Sequence, residues 1–301
     1  MQLRHLRYFV TLAREQHFAK AAATCGISQP TLSAGLAALE AEFGRRLVER
    51  DRRFIGLTAY GQAMLPWAEQ ILGAVSGMAS AVAATAAPLR GEFGLAAIPA
   101  ALPLIGLLGE ALLTQNPGIT LSVRSATSRA IEHGLHAFEV DAGITYLDHE
   151  PPANVLSVPL YAERYVFLAA RGSGFDQHAA ISWEEACAQN LCLLHQGMQY
   201  RRILDERLAA RGLATAPRAT ADSHFALFAL VHSGAFATIV PDGYARLMVG
   251  VEWARFLPFD EAEEARRVGL VVVNRDPLGP MARAALAAAR ALEPAGLRPP
   301  V

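Results

Sequence analysis

The first sixty residues hold three runs in which apolar side chains recur at helical spacing. Leu3, Leu6, Phe9, Val10 and Ala13 predict an amphipathic opening helix. A short second helix is expected over 18–24, where Ala19, Ala21, Ala22 and Ala23 let a neighbour pack closely. In Cys25-Gly26-Ile27-Ser28 the glycine permits a left-handed turn, Ile27 plugs the core and Ser28 caps the helix that follows. That helix, over 29–43, sets Leu32, Leu36, Leu39 and Phe43 on one buried stripe and tolerates Pro30 in its first turn. Its other face carries Pro30, Ser33, Ala34, Ala37 and Ala38, flanked by Gln29 and Thr31, and is small enough to lie deep in a groove. Two helices joined by a short glycine-containing turn, the second with a small polar face, make a helix-turn-helix. Residues 51–57 read as a short hairpin, a wing bearing arginines.

From Thr58 to about residue 85 the chain is alanine-rich and helical, long enough for roughly 40 Å. Met64, Trp67, Ile71, Val75, Met78 and Val82 form a coiled-coil-like stripe along it. A lone helix cannot bury such a stripe, so pairing with a second copy is expected; packing against its own domain is the alternative. Pro66 predicts a kink and residues 87–91 a hinge. Beyond Gly94 the pattern alternates. Strands are expected over 95–98, 119–124, 142–145, 165–170, 191–195, 237–240 and 268–273, and helices over 102–113, 128–138, 200–211 and 223–231. Such alternation predicts a parallel α/β sheet. The expected fold class is therefore α/β with an all-α N-terminal head.

Composition changes this picture in three ways. With 301 residues, 52% hydrophobic and 18% charged, the chain suits two compact domains and not disorder. The net charge of −1 hides an asymmetry, since residues 1–60 hold nine basic side chains against five acidic ones. A basic head on a mildly acidic body suits a polyanion partner for the head. No uncharged apolar run is long enough for a membrane span, and the opening residues lack the apolar core of a signal peptide, so a cytoplasmic location is expected. Cys25, Cys187 and Cys192 have no metal-ligand or C-x-x-C spacing. They read as small buried apolar residues, with a redox pair of Cys187 and Cys192 as the alternative. No phosphate loop, dinucleotide fingerprint, zinc-protease motif or nucleophile elbow is present, so neither catalysis, a cofactor nor a metal is expected.

The run Leu6-x-Tyr8-Phe9, Phe18-Ala19-Lys20-Ala21-Ala22, Ile27-Ser28-Gln29-Pro30-Thr31-Leu32-Ser33, Leu39-Glu40, Phe43-Gly44, Leu47-Val48-Glu49-Arg50 and Leu57-Thr58-x-x-Gly61 resembles, in order and spacing, the head of LysR-type transcription regulators. Val48 stands where the family usually has phenylalanine, and Ala34 where many members have arginine. The resemblance implies a winged helix-turn-helix over 1–58, a dimerisation helix over 59–86 and a hinge over 87–91. It further implies a sensing domain of two subdomains with a cleft between them, like periplasmic binding proteins: 92–162 with 268–293, and 163–267, followed by a tail over 294–301. Base reading is then expected from Gln29, Thr31 and Ser33, with Pro30 and Ala34 offered to thymine methyls. Arg50, Arg52 and Arg53 would hold phosphates, with an internal salt bridge as the alternative for Arg50. Pairing through Met64, Trp67, Ile71, Val75, Met78 and Val82 would give a dimer, and usually a dimer of dimers, with RNA polymerase as a further partner.

In open α/β sheets ligands sit beyond the carboxyl ends of the strands. Those exits hold Pro99 and Ala100, Thr127 and Ser128, Thr145, His195 with Gln196 and Gly197, and His224 with Phe225. Several helix starts aimed at one cleft favour an anion, with Thr127 and Ser128 as hydroxyl donors and His195 or His224 as a switchable one. Capping its own helix is an equal alternative for Ser128 and the favoured role for Asp222-Ser223, and a satisfied loop residue is the alternative for each histidine. Family members commonly have serine or threonine near Ala100, so a small ligand held partly by backbone N–H groups is expected. The body, with Asp141-Ala142-Gly143-Ile144-Thr145-Tyr146-Leu147-Asp148, resembles regulators of formate dehydrogenase operons, which makes formate one candidate among small carboxylates. A cytoplasmic solute-binding protein without DNA function is the competing reading.

Overall fold

The computed structural model describes residues 1–50, 54–84, 89–261 and 265–292. The chain forms two compact units, residues 1–86 with 136–139, and residues 87–135 with 140–301. In the first, α1 (Leu3–Glu15), α2 (Phe18–Thr24) and α3 (Gln29–Phe43) pack around Leu6, Phe9, Leu12, Leu32, Leu36 and Leu39, all fully buried. Gly26 takes the left-handed turn at φ +68°, and the Ser28 hydroxyl accepts from Thr31 N–H to start α3. Phe43 departs from the expected stripe: α3 ends there, one turn beyond the core, and its ring is 48% exposed. The hairpin pairs β1 (Val48–Arg50) with β2 (Phe54–Leu57), so it begins three residues before the expected 51.

Three residues, Glu40, Thr58 and Gly61, tie this hairpin to its neighbours. The buried Glu40 carboxylate accepts from the N–H groups of Leu47 (2.9 Å) and Val48 (3.2 Å). Thr58 donates its backbone N–H to Leu47 O and its hydroxyl to Arg46 O, and its Oγ1 caps α4 (Ala59–Ala84) by accepting from Gly61 N–H. Gly61 lies so close to the hairpin that a Cβ there would stand 2.1 Å from Leu47 O. The Leu39-Glu40 and Leu57-Thr58-x-x-Gly61 motifs thus have one physical cause, the docking of the wing. Pro66 lies inside α4.

The second unit contains two subdomains. The first is a five-stranded sheet in the order β4-β3-β5-β12-β6: β3 (Arg90–Ala97), β4 (Gly118–Ser125), β5 (Ala142–Tyr146), β6 (Val155–Glu163) and β12 (Arg266–Val273). A 3-10 helix (Pro99–Leu104), α5 (Ile105–Gln115), α6 (Ser128–His136) and α11 (Pro280–Leu292) accompany it, with α11 packed on α5 and β6. The second subdomain has β7 (Tyr165–Ala170), α7 (Trp183–Cys187), β8 (Cys192–Leu194), α8 (Gln199–Ala209), β9 (Ala219–Ala221), α9 (His224–His232), β10 (Thr238–Pro241), α10 (Asp242–Leu247) and β11 (Ala254–Pro258). Its strands form the antiparallel set β10-β7-β11 and the parallel pair β8-β9, which adjoins β10 through the Leu191–Ala237 bridge.

The expectation of a wholly parallel sheet is corrected here. β3 runs parallel to β4 and β5, but β12 is antiparallel to both β5 and β6. The reason is the route of the chain: β12 arrives from the second subdomain instead of through a helical crossover, and only such crossovers impose parallel pairing. The chain leaves the first subdomain at Arg164 and returns by β12 into the middle of the first sheet. No helix among the described residues is long and apolar enough to cross a membrane.

Candidate nucleic-acid interface and effector cleft

At the head, the start of α3 presents Gln29, Pro30, Thr31 and Ala34 exposed, with Ala37 and Ala38 behind them and Ser33 half-buried. The Thr31 hydroxyl lies 2.8 Å from the Ser28 hydroxyl, so one of its bonds is used within the protein. Gln29 alone on this face keeps a long side chain with a donor and an acceptor, the pair that adenine recognition requires. Replacing Gln29 with alanine is expected to weaken operator binding by about tenfold, on a scale of 1–3 kcal/mol per bidentate pair, and to leave non-specific binding unchanged. Equal losses on operator and random duplex at fixed salt would remove Gln29 from base reading. Arg52 and Arg53 lie outside the described residues, as does the side chain of Arg50. Arg45, which the sequence reading did not single out, is exposed beside the hairpin, 5.3 Å over the Tyr60 ring.

Half of the apolar stripe of α4 is uncovered within one chain. Trp67 is 68% exposed; Met78 and Val82 are equally open, while Met64, Ile71 and Val75 are half-buried. Met1, Leu6, Phe43, Leu47, Tyr60 and Trp67 help line an apolar groove of about 390 Å³ beside it.

In the body, the structure treats the proposed cleft residues unequally. Pro99 and Ala100 are buried at the end of β3, and Pro99 O accepts from the Tyr244 hydroxyl of the second subdomain at 2.7 Å. Thr127, not Ser128, caps α6, its Oγ1 accepting from Ala130 N–H; Ser128 is buried in the first turn. Thr145 is buried and donates its hydroxyl to Gln199 Oε1 at 3.3 Å, while Gln199 Nε2 donates to His149 O. Gln199 and Tyr244 therefore bridge the two subdomains. Neither stands among the residues expected at the strand exits, although a glutamine opening a helix after a strand exit is a signal of the same kind.

The remaining candidates are less central. His195, Gln196 and Gly197 are exposed, and the carbonyls of Gln196 and Gly197 accept from Arg202, which also pairs with Glu150. Phe225 is 83% exposed. The Ser223 hydroxyl caps α9 by accepting from Ala226 N–H. His224 is buried among Tyr244, Tyr200 and Phe228, with ring centroids 4.5, 5.7 and 6.3 Å away, and neither ring nitrogen has a hydrogen-bond partner among the described residues. Burial pulls its pKa down to about 3, so it stays neutral and is not the switchable donor expected. Arg201 is buried but occupied, paired with Asp205 at 2.7 Å and donating to Leu194 O. Cys192 is fully buried and its thiol is pushed up to about 11 by burial; burial also raises Cys187. Neither cysteine is in a disulfide.

A helix-turn-helix head, a long helix and an α/β body of two subdomains joined by hydrogen bonds are the parts of a DNA-binding regulator. Residues 3–62 match the bacterial regulatory helix-turn-helix of the LysR family and residues 86–293 the LysR substrate-binding domain, so this chain belongs to the LysR family of transcription regulators. That membership sets aside the reading of a solute-binding protein without DNA function. The chain is 30% identical over 268 residues to a probable hydrogen peroxide-inducible genes activator of Mycobacterium avium, covering 88% of this chain and 86% of that one. It is 27% identical over 289 residues to the nitrogen assimilation regulatory protein nac of Klebsiella aerogenes, covering 94% and 92%. A full-length OxyR from Pseudomonas aeruginosa, solved as a cysteine-to-aspartate variant, shares its fold with a TM-score of 0.75 at 27% identity, covering 97% and 95%. None of these three is a formate-operon regulator.

Proposed function

We propose that the chain binds operator DNA as a dimer through α3 and the wing, and that a small carboxylate held between the two subdomains sets this binding. The Thr145–Gln199 bridge carries the reading. It sets a buried hydroxyl and a buried amide, both able to donate to a carboxylate, at the exit of β5 and the start of α8. A ligand that takes over these donors changes what joins the subdomains, and hence the geometry passed to the DNA. Formate is one member of the class, and RNA polymerase is the further partner an activator engages.

Two of the three relatives are named for peroxide or OxyR, but the thiols of this body do not favour that chemistry. Peroxide reacts with a thiolate, and with its thiol held at about 11, Cys192 is almost wholly protonated near neutral pH. The test is a mobility-shift titration on the DNA upstream of the chain's own gene, with millimolar small carboxylates in one arm and hydrogen peroxide in the other. One carboxylate should alter a salt-sensitive, sequence-specific shift while peroxide leaves it unchanged. A peroxide response abolished by Cys192→Ser would replace this reading with a thiol switch.

A further inference from the structure

The first subdomain hands over to the second at Arg164, and the residue before it, Glu163, carries a buried carboxyl. Its Oε1 accepts from the Tyr146 hydroxyl at the end of β5. Tyr146 and Tyr161 both stand opposite Val268 of β12, so the register aligns the two phenols across three strands. The two-residue period of β6 then brings Glu163 to the face of Tyr161. Across the ladder stands Arg266 of β12, and Tyr165 opens β7 just beyond. From the second subdomain, Arg207 of α8 lies 5.0 Å over the Tyr165 ring.

Helix α10 closes the cluster. Asp242 accepts from Arg164 N–H (3.3 Å) and from Arg246 (3.0 Å), and its own N–H donates to Arg164 O. Two residues on, Tyr244 makes the hydroxyl contact to Pro99 O that joins the subdomains. A charge on Glu163 would therefore arise one residue from the backbone that holds the Asp242 carboxylate, on the element that clasps the first subdomain.

We propose that Glu163 is a proton-operated latch between the two subdomains: protonated, it lets α10 and the Tyr244 clasp close on Pro99 after β3, and ionised, it repels Asp242 and loosens them. This input is separate from the effector and does not depend on its identity. Burial is the main force on the carboxyl, raising its pKa to about 8; the Tyr146 hydroxyl pulls back, Asp242 pushes further, and the Tyr161 hydroxyl and Arg207 pull back again. The folded molecule thus holds a proton that the opened one lacks between pH 4.5, the ordinary value, and about 8. The closed form accordingly loses stability as pH rises through that window and levels off above it. His224, neutral when buried, has the opposite slope between about 3 and 6.5, so of these two groups only Glu163 acts above 6.5.

The test compares the full-length chain with Glu163→Gln by amide hydrogen exchange between pH 6.5 and 9, corrected for intrinsic rate, in peptides spanning 159–166 and 242–248. Opening in the wild type should rise roughly tenfold per pH unit up to about pH 8, and in Glu163→Gln it should stay flat. Parallel profiles in the two chains would overturn the latch. Difference infrared on the wild type gives a second reading that does not depend on the variant folding. The carbonyl stretch of a protonated carboxyl should vanish across this pH range, and its absence at pH 6.5 also overturns the proposal.

Discussion

A Trp67→Glu chain is expected to remain folded, to sediment as a monomer, and to lose operator affinity by roughly a hundredfold or more. Within one chain the indole is 68% exposed, beside an apolar groove lined by Leu6, Phe43, Leu47 and Tyr60. An aromatic side chain of this size covers about 200 Å², so burying the open part stabilises a pairing by about 3 kcal/mol per copy. In a twofold dimer the same patch is used on both sides, so the loss is felt twice. A carboxylate there adds the cost of desolvation without touching the head's own core, which is why folding should survive. Affinity falls because two linked heads bind paired half-sites with an avidity of about a hundredfold or more that single heads lack. Sedimentation velocity and footprinting on the same samples check both halves. A variant that stays dimeric would move the interface away from α4.

Gly61→Ala is expected to destabilise the head by about 3 kcal/mol while leaving ligand binding by the body intact. The new methyl would stand 2.1 Å from Leu47 O, and that carbonyl is already committed to Thr58 N–H at 3.0 Å. Leu47 cannot retreat freely, because its own N–H and that of Val48 are held by the Glu40 carboxylate. Backbone, not a flexible side chain, must give way, and the wing loses its seat on both α3 and α4. Chemical denaturation followed by head-specific proteolysis should show an early transition in this variant alone. An unchanged midpoint would mean that the hairpin and α4 are not held at this distance in solution.

Much of this head was readable before the structure because its helices obey one period each. Leu32, Leu36 and Leu39 bury as the spacing demands, and Gln29, Pro30, Thr31 and Ala34 stay outside. Phe43 failed only because the stripe continued past the end of the core. The first sheet was harder to read. β6 carries Pro159 and a bulge opposite Val268 and Gly269, which break the two-residue alternation a strand is recognised by. The direction of β12 depends on where the chain has been, which no local pattern encodes. The cleft was legible as a set of strand exits but not as a set of side chains. Thr145 and His224 both turned inward, whereas Phe225 turned out, and burial decided the protonation of His224.

The insertion of β12 between β5 and β6 also bears on the order in which the molecule can be made. A ribosome delivers β3, β4, β5 and β6 well before residue 266, yet β5, paired with β3 on one side, has no ladder with β6, and only β12 joins the two. Until the second subdomain has emerged, the nascent first subdomain therefore displays two unpaired strand edges flanking an apolar gap that Val268, Leu270, Val271 and Val272 will fill. The two halves of the sensor are thus obliged to mature together. Any chain interrupted between residues 164 and 266 leaves a sticky fragment in place of a working half, a form of quality control written into the strand order itself.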